Sequence, residues 1–182
     1  MTASTPALDA RSSSFAVRPT LAGVASAGSL LAATILAVTT AFLAIAHVAG
    51  GMTFGDGSHS PIVELLHTAT ILLLLPLPFA LHRALAPDAP RASAAAVALA
   101  VDALVFGAVL HGLFALGATS FDAAGPLLLV GYLAFAGWLW IVGSRGSDSG
   151  RLPNGRRMAV IGATVVGLPL WLVWIARRLE AA

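Results

Sequence analysis

The chain has 182 residues, of which 58% are hydrophobic and 10% charged, and its net charge is +2. A soluble domain carries about 25% charged residues, so this composition excludes a water-soluble monomer and predicts a multi-span membrane protein. The small net charge argues against nucleic acid as a partner, and the absence of cysteine excludes disulfides and thiolate metal sites.

Five apolar stretches are long enough, or nearly so, to cross a bilayer as helices, which takes about 20 residues each. They are residues 21–49, 61–85, 92–117, 124–143 and 158–176. The sequence therefore predicts an all-α polytopic integral membrane protein, a bundle of five transmembrane helices within residues 21–177. Residues 1–20, rich in Ser, Thr, Ala and Pro, are expected to form a disordered cytoplasmic tail. Residues 178–182 are expected to form a short extracytoplasmic tail, and residues 144–157 a flexible linker.

The arginines predict the orientation, because Lys and Arg in short loops stay on the cytoplasmic side. Eight of the ten precede the first span or lie in the second and fourth loops. We therefore expect a bacterial plasma membrane protein with a cytoplasmic N-terminus and, after five spans, an extracytoplasmic C-terminus beside Arg177 and Arg178. The Ala-Ile-Ala sequence at 44–46 leaves signal-peptide cleavage open, although the apolar run exceeds the about 7 to 15 residues of a signal peptide.

Helix packing and bending also leave a signature in the sequence. Small residues four apart, which let helices approach closely in lipid, are Ala25, Ser29 and Ala33; Ala103 and Gly107; and Ala163 and Gly167. Pro76 and Pro78 predict a kink in the second span, and Pro169 predicts one in the fifth.

Ionisable side chains inside spans are costly and are by default candidate functional sites. If the second and third spans are antiparallel helices joined by a loop, residues equally far from the centre of that loop lie at the same depth. On this basis, His67 and His111 lie at one depth in the membrane. Glu64 precedes His67 by three residues and so shares its helix face, and His47 lies about one turn further out. We expect His47, Glu64, His67 and His111 to meet in the outer third of the membrane.

Three chemistries suit that group. Two imidazoles on facing helices can be the axial ligands of haem b. Histidines with a carboxylate also suit a divalent metal ion such as Zn, Cu or non-haem Fe. A chain of His and Glu side chains can relay protons or cations towards the outside. The structural alternative is a set of hydrogen bonds between helices, worth about 0.6 kcal/mol each.

Asp102 is predicted to stand apart from the histidines, near the bilayer centre. Nine residues separate it from His111, which turns it to the opposite face of the helix at about 100° per residue. Because lipid exposure of a carboxylate is expensive, we expect Asp102 to face a neighbouring helix, with Thr34 as a candidate donor. It is a candidate proton or cation relay, or a protonated carboxyl bonded to a neighbour.

No nucleotide-binding, metalloprotease or serine-hydrolase motif occurs in the chain. The leading interpretation is a non-catalytic membrane subunit or small membrane protein with a His/Glu site, embedded in the lipid bilayer as a homo-oligomer or within a membrane complex. The alternatives are a small transporter or proton-coupled permease using Asp102 and the histidines, and a structural or assembly partner. Five spans with intramembrane histidines resemble the haem-bearing membrane anchors of succinate and fumarate reductases, although the fourth and fifth spans here carry none.

Overall fold

The structure, a computed structural model, describes residues 19–50, 60–164 and 166–181. These residues form helices α1 (Pro19–Gly50), α2 (Pro61–Leu74), α3 (Pro76–Leu85), α4 (Pro90–Ala115), α5 (Phe121–Asp148), α6 (Gly155–Gly162) and α7 (Gly167–Glu180). No strand occurs among them, so the all-α prediction is confirmed for this part of the chain. The predicted tail at 1–20 lies outside the described residues except for its last two positions, which begin α1.

Four stretches of the described residues are long and apolar enough to cross a membrane, which suggests a membrane location. They are Leu21–Ala46, Pro61–Leu85, Pro90–Ala115 and Asp122–Asp148. The second is interrupted at Leu75, where α2 gives way to α3. Pro76 and Pro78 follow directly and lack the N–H groups that would continue the hydrogen-bond ladder, so the break falls where the prolines predict it.

The fifth predicted span is not a continuous helix, and the five-helix count is not confirmed. Residues 158–176 are divided between α6 and α7, which have 8 and 14 residues. At 1.5 Å per residue they are about 12 and 21 Å long, and both fall short of a hydrocarbon core of about 30 Å. The turn between them comes before Pro169, which sits in the first turn of α7, where a missing N–H is tolerated.

Thr164 holds this turn together. Its hydroxyl donates to the carbonyl oxygen of Ile161 at 2.8 Å and accepts from the N–H of Gly167 at 3.0 Å. A Cβ at Gly167 would collide with the Ile161 carbonyl, and one at Gly162 would collide with Trp171. The chain therefore folds back on itself here, and α6 and α7 form a helical hairpin.

The hairpin enters and leaves the bundle at the same end. Gly143 near the end of α5 and Gly155 at the start of α6 pack so closely that a Cβ on either would meet the other's carbonyl oxygen. At the C-terminal end of the hairpin, Glu180 of α7 accepts a 2.7 Å hydrogen bond from Ser26, in the second turn of α1. The last turn of α7 thus lies beside the beginning of α1.

That end of the bundle also holds the α3–α4 turn and the α5–α6 loop, which are joined by a 2.5 Å ion pair between Asp88 and Arg151. We call it the arginine end, because all eight arginines in the described residues lie there. They are Arg83, Arg91, Arg145, Arg151, Arg156, Arg157, Arg177 and Arg178. We call the other end, where α2 begins and α4 ends, the opposite end.

Two boundaries differ between the sequence prediction and the helices of the structure. Five spans would place the last described residues at the end opposite the start of α1, but the hairpin returns them to the same end. The predicted tail from residue 178 is helical as far as Glu180. The predicted linker at 144–157 is also shorter than expected, since α5 continues to Asp148 and α6 starts at Gly155.

The helices form a ring that closes only in the half nearer the arginine end. α1 packs on α2 and α3, these pack on α4, α4 packs on α5, and the hairpin joins α5 to α1. In the arginine half, Trp138 and Trp171 meet edge to face in the core, with ring centroids 5.8 Å apart. Among the described residues, no Cα atoms of α1 and α5 lie within 8 Å of each other. The half nearer the opposite end therefore keeps a gap between these two helices.

Candidate functional site

Glu64, His67 and His111 come together near the opposite end. Glu64 lies in the first turn of α2, which begins with Pro61, and a carboxylate there is favoured by the helix dipole. His67 is one turn further along. His111 lies in the last turns of α4, which ends before Gly117, a residue with positive φ. Because α2 and α4 pack antiparallel, the start of one faces the end of the other.

The three side chains are close enough to act together. Nδ1 of His111 lies 2.6 Å from Oε2 of Glu64, and the ring centroids of His67 and His111 are 5.0 Å apart. One ligand atom from each residue lies within 4.8 Å of the others. Glu64 is 3% and His111 5% exposed, and His67 is half-buried. The structure thus joins three of the four residues that the sequence predicted to meet.

The fourth residue, His47, lies in the last turn of α1. Its side chain is outside the described residues, so its predicted part in the group stays a prediction.

Tyr132 of α5 also reaches the group, and the sequence analysis missed it. Its hydroxyl lies 3.3 Å from Nε2 of His111, so both ring nitrogens of that histidine have partners. The only indication in the sequence that this residue differs from its neighbours is that it is the only tyrosine in the chain. Its direction could not be read from the sequence, because an apolar span of nearly uniform composition does not reveal which face meets α4.

Asp102 lies apart from the group, on the exposed face of α4, whereas His111 is buried. The predicted bond from Thr34 does not form, because α1 and α4 do not pack on each other. The Thr34 hydroxyl instead donates to the carbonyl oxygen of Leu30 in its own helix, at 3.0 Å. Among the residues that the structure describes, Asp102 makes no hydrogen bond or ion pair.

A cavity of about 90 Å³ adjoins the histidines and lies between α1, α2, α4 and α5. Its apolar lining consists of Leu36, Ile71, Leu74, Ala103, Leu104, Gly107, Leu128, Gly131, Phe135 and Leu168. Its polar lining consists of His67, Thr70, His111 and Tyr132. The Thr70 hydroxyl donates to the Leu66 carbonyl oxygen at 2.8 Å, so the two histidines and Tyr132 give the cavity its polar character. Leu168, at the tip of the hairpin, closes it towards the arginine end.

Two imidazoles and one carboxylate are a ligand set for Zn²⁺ or for non-haem Fe²⁺. Metal bonds of about 2.0 to 2.2 Å place tetrahedral ligand atoms about 3.3 to 3.6 Å apart. The 2.6 Å pair must therefore separate by about 0.7 to 1.0 Å, and ligand atoms as far apart as 4.8 Å must approach by about 1.2 to 1.5 Å. Rotation of the three side chains can supply such shifts, so the group fits a single metal ion.

The same geometry does not fit haem. An iron with two axial imidazoles at bonds of about 2 Å separates their ring centroids by about 6 Å, whereas His67 and His111 are 5.0 Å apart. The adjoining cavity of about 90 Å³ is also smaller than one of about 150 Å³ that holds benzene. A porphyrin would need both a wider separation of the rings and a much larger space than the described residues leave between them.

Comparison of the chain with family models, with curated proteins and with solved structures finds no match. The case for a function therefore rests on the chemistry of the site.

Proposed function

We propose that this protein is a multi-pass membrane protein that binds one divalent transition-metal ion, with Zn²⁺ as the first ion to test, at Glu64, His67 and His111. The observation that carries the proposal is the convergence of three ligating groups from two helices within 4.8 Å. Three protein ligands leave a fourth position open in a tetrahedral ion. In this protein that position would face the cavity.

A purely structural role would need fewer polar side chains than the site contains. A hydrogen bond between α2 and α4 requires only the pair of Glu64 and His111. His67 adds a third ligating group on the same side, 5.0 Å from the His111 ring. The buried Glu64 carboxylate already bonds to His111, and a bound cation would add the charge compensation that a buried carboxylate favours.

Two modes of binding are consistent with the contacts. In one, Glu64 rotates away from His111 and ligates the ion directly. In the other, Glu64 keeps Nδ1 of His111 and orients the ring, while His67 and Nε2 of His111 ligate the ion, which then has two open positions. Carboxylates that orient metal-binding imidazoles in this way typically contribute 10- to 100-fold in affinity.

The transport alternative requires Asp102 and the histidines to share a path. Because Asp102 is on the exposed face of α4 and His111 on the buried face, no observation supports that path, and we do not propose it.

Metal analysis of the purified protein tests the proposal. After loading with Zn²⁺ and removal of excess by gel filtration, the wild type should retain about one ion per chain, and His67→Asn and His111→Asn should lose it. His82→Asn is the matched control, since His82 is bonded to Ser93 at 2.8 Å near the arginine end. Wild-type protein without retained metal, or equal loss in the control, would reject the site.

We further propose that the arginine end faces the cytoplasm of a bacterial plasma membrane. The support is that every described arginine, including Arg177 and Arg178, lies at that end, as expected of basic residues on the cytoplasmic side. The start of α1 and the end of α7 would then share the cytoplasmic side, which replaces the expectation of an extracytoplasmic C-terminus.

For the partner, we propose a second copy of this chain against the Asp102 face of α4. Ala95, Ala98, Asp102, Val105 and Val109 are all exposed, and their alternating spacing of three and four matches a helix-packing seam. Copies with the same orientation bring two Asp102 residues to the same depth. Two protonated carboxyls can then bond to each other instead of facing lipid, where a lone charge costs about 2.5 to 3.5 kcal/mol.

A further inference from the structure

The gap between α1 and α5 gives the cavity a lateral opening. The hairpin fills the space between these helices only in the arginine half, and its tip at Leu168 marks the limit of the filled part. Beyond the tip, α1 is bare, since Ala41 to Ile45 are all exposed. On the facing helix, Tyr132 is 56% and Leu133 63% exposed. The described helices therefore leave the cavity open at the level of the hydrocarbon of one leaflet.

The lining determines the kind of molecule that fits. Most of it is aliphatic or aromatic, and its polar groups are the two histidines and the Tyr132 hydroxyl, at the end away from Leu168. The nearest carboxylate, Glu64, is behind His111 and held by its Nδ1. No described arginine lies in this half of the bundle. Apart from a bound metal ion, the described side chains around the cavity offer no cationic partner for a phosphate or carboxylate headgroup. The lining itself therefore favours a neutral molecule that brings a hydrogen-bonding oxygen.

The size of the cavity determines how much of that molecule is enclosed. A volume of about 90 Å³ is smaller than a cavity of about 150 Å³ that holds one benzene molecule, so it has room for a small head but not for a chain. The chain would remain between α1 and α5, against the exposed residues of both helices. The enclosed part is therefore the polar head.

We infer that the cavity binds the head of a neutral lipid-soluble molecule with a hydroxyl or carbonyl oxygen, which enters from the bilayer between α1 and α5. The oxygen bonds to the Tyr132 hydroxyl, and it would occupy an open position of a metal ion held by His67 and His111. The inference rests on the proposed metal site for that last contact, whereas the entrance and the Tyr132 contact do not depend on the ion.

Photolabelling in lipid nanodiscs tests the inference. The probe is hexadecanol with a diazirine near its hydroxyl, and the comparison probe is hexadecane with the diazirine at the same carbon. The alcohol should label the cavity residues, such as Leu36 and Leu128, at least about fivefold more than the alkane does. Ala103→Leu, which fills the cavity, should abolish the excess, and Ala123→Leu, on an exposed part of α5, is the matched control.

Two further readouts keep the test decisive. Tyr132→Phe keeps the shape of the site and should reduce labelling by the alcohol towards the level of the alkane. The zinc content of each sample separates the two proposals: labelling without retained zinc rejects the metal site and keeps the entrance. Retained zinc with equal labelling by both probes overturns the inference and keeps the metal site.

Discussion

Glu64 and His111 are separated by 47 positions in the chain, and yet Oε2 of one lies 2.6 Å from Nδ1 of the other in the buried interface of α2 and α4. Each is a residue that apolar helices normally exclude. The pair fixes the rotation of the two helices relative to each other, and this rotation directs His67 and Nε2 of His111 to one side. That shared direction distinguishes a candidate binding site from a single bond between helices.

The substitution Glu64→Gln separates the role of the carboxylate charge from that of its hydrogen bond. The amide can still bond to His111, so the folded protein should lose no more than the about 0.6 to 1.7 kcal/mol typical of a polar contact between membrane helices. Zinc affinity should fall at least 10-fold, because the carboxylate is a ligand or orients one. Thermal unfolding in detergent and zinc titration measure the two effects. Full zinc affinity in this variant would remove Glu64 from the site.

Thr164 is expected to be essential to the α6–α7 hairpin. Thr164→Val has nearly the same shape but removes the hydroxyl that bonds to Gly167 and Ile161. An N–H that loses its partner away from water costs about 1 to 3 kcal/mol, so the melting temperature in detergent should fall. Thr164→Ser, which keeps the hydroxyl, should restore most of the stability. Equal melting temperatures for the Val and Ser variants would show that the turn does not depend on the hydroxyl.

The position of the C-terminal helix can be tested with single cysteines, because the chain has none of its own. Ser149→Cys and Ala181→Cys lie at the arginine end, and Ala118→Cys lies at the opposite end, all at exposed positions. In intact cells an impermeant maleimide should label only Ala118→Cys, and permeabilised cells should show labelling of all three. Labelling of Ala181→Cys in intact cells would instead support a complete fifth span.

Asp102 is expected to hold two copies together. Oxidation of Val105→Cys in membranes should produce a covalent dimer, whereas Val38→Cys, exposed on α1, should not. Adding Asp102→Asn should preserve the dimer, because two amides can also pair, and adding Asp102→Leu should reduce it severalfold. Equal crosslinking at positions 38 and 105, or no effect of the Leu substitution, would contradict a dimer that depends on this residue.

Local pattern was enough to predict part of this architecture. Four apolar runs of sufficient length were recognisable because membrane-crossing helices share one length and composition requirement. The shared depth of His67 and His111 followed from treating two spans as a hairpin, since a short loop forces neighbouring helices to be antiparallel. The break at Leu75 followed from Pro76, whose missing N–H acts locally.

The remaining features depend on tertiary contacts. The segment at 158–176 is as apolar as a span, and its turn depends on Thr164 and on close packing at Gly162 and Gly167, which hydropathy does not register. The sequence did contain one signal against a fifth span. Such a span places Arg177 and Arg178 on the extracytoplasmic side, against the charge rule that the other eight arginines follow. The contact of Tyr132 depends on the rotation of α5 about its own axis, for which its apolar faces give no cue.

The most direct test of the proposed metal site is X-ray absorption at the zinc edge of the zinc-loaded wild-type protein. We predict a first shell of nitrogen and oxygen at about 2.0 to 2.2 Å with the outer-shell scattering of two imidazole rings. A shell of oxygen alone, with no imidazole signal, would contradict the proposed ligation by His67 and His111.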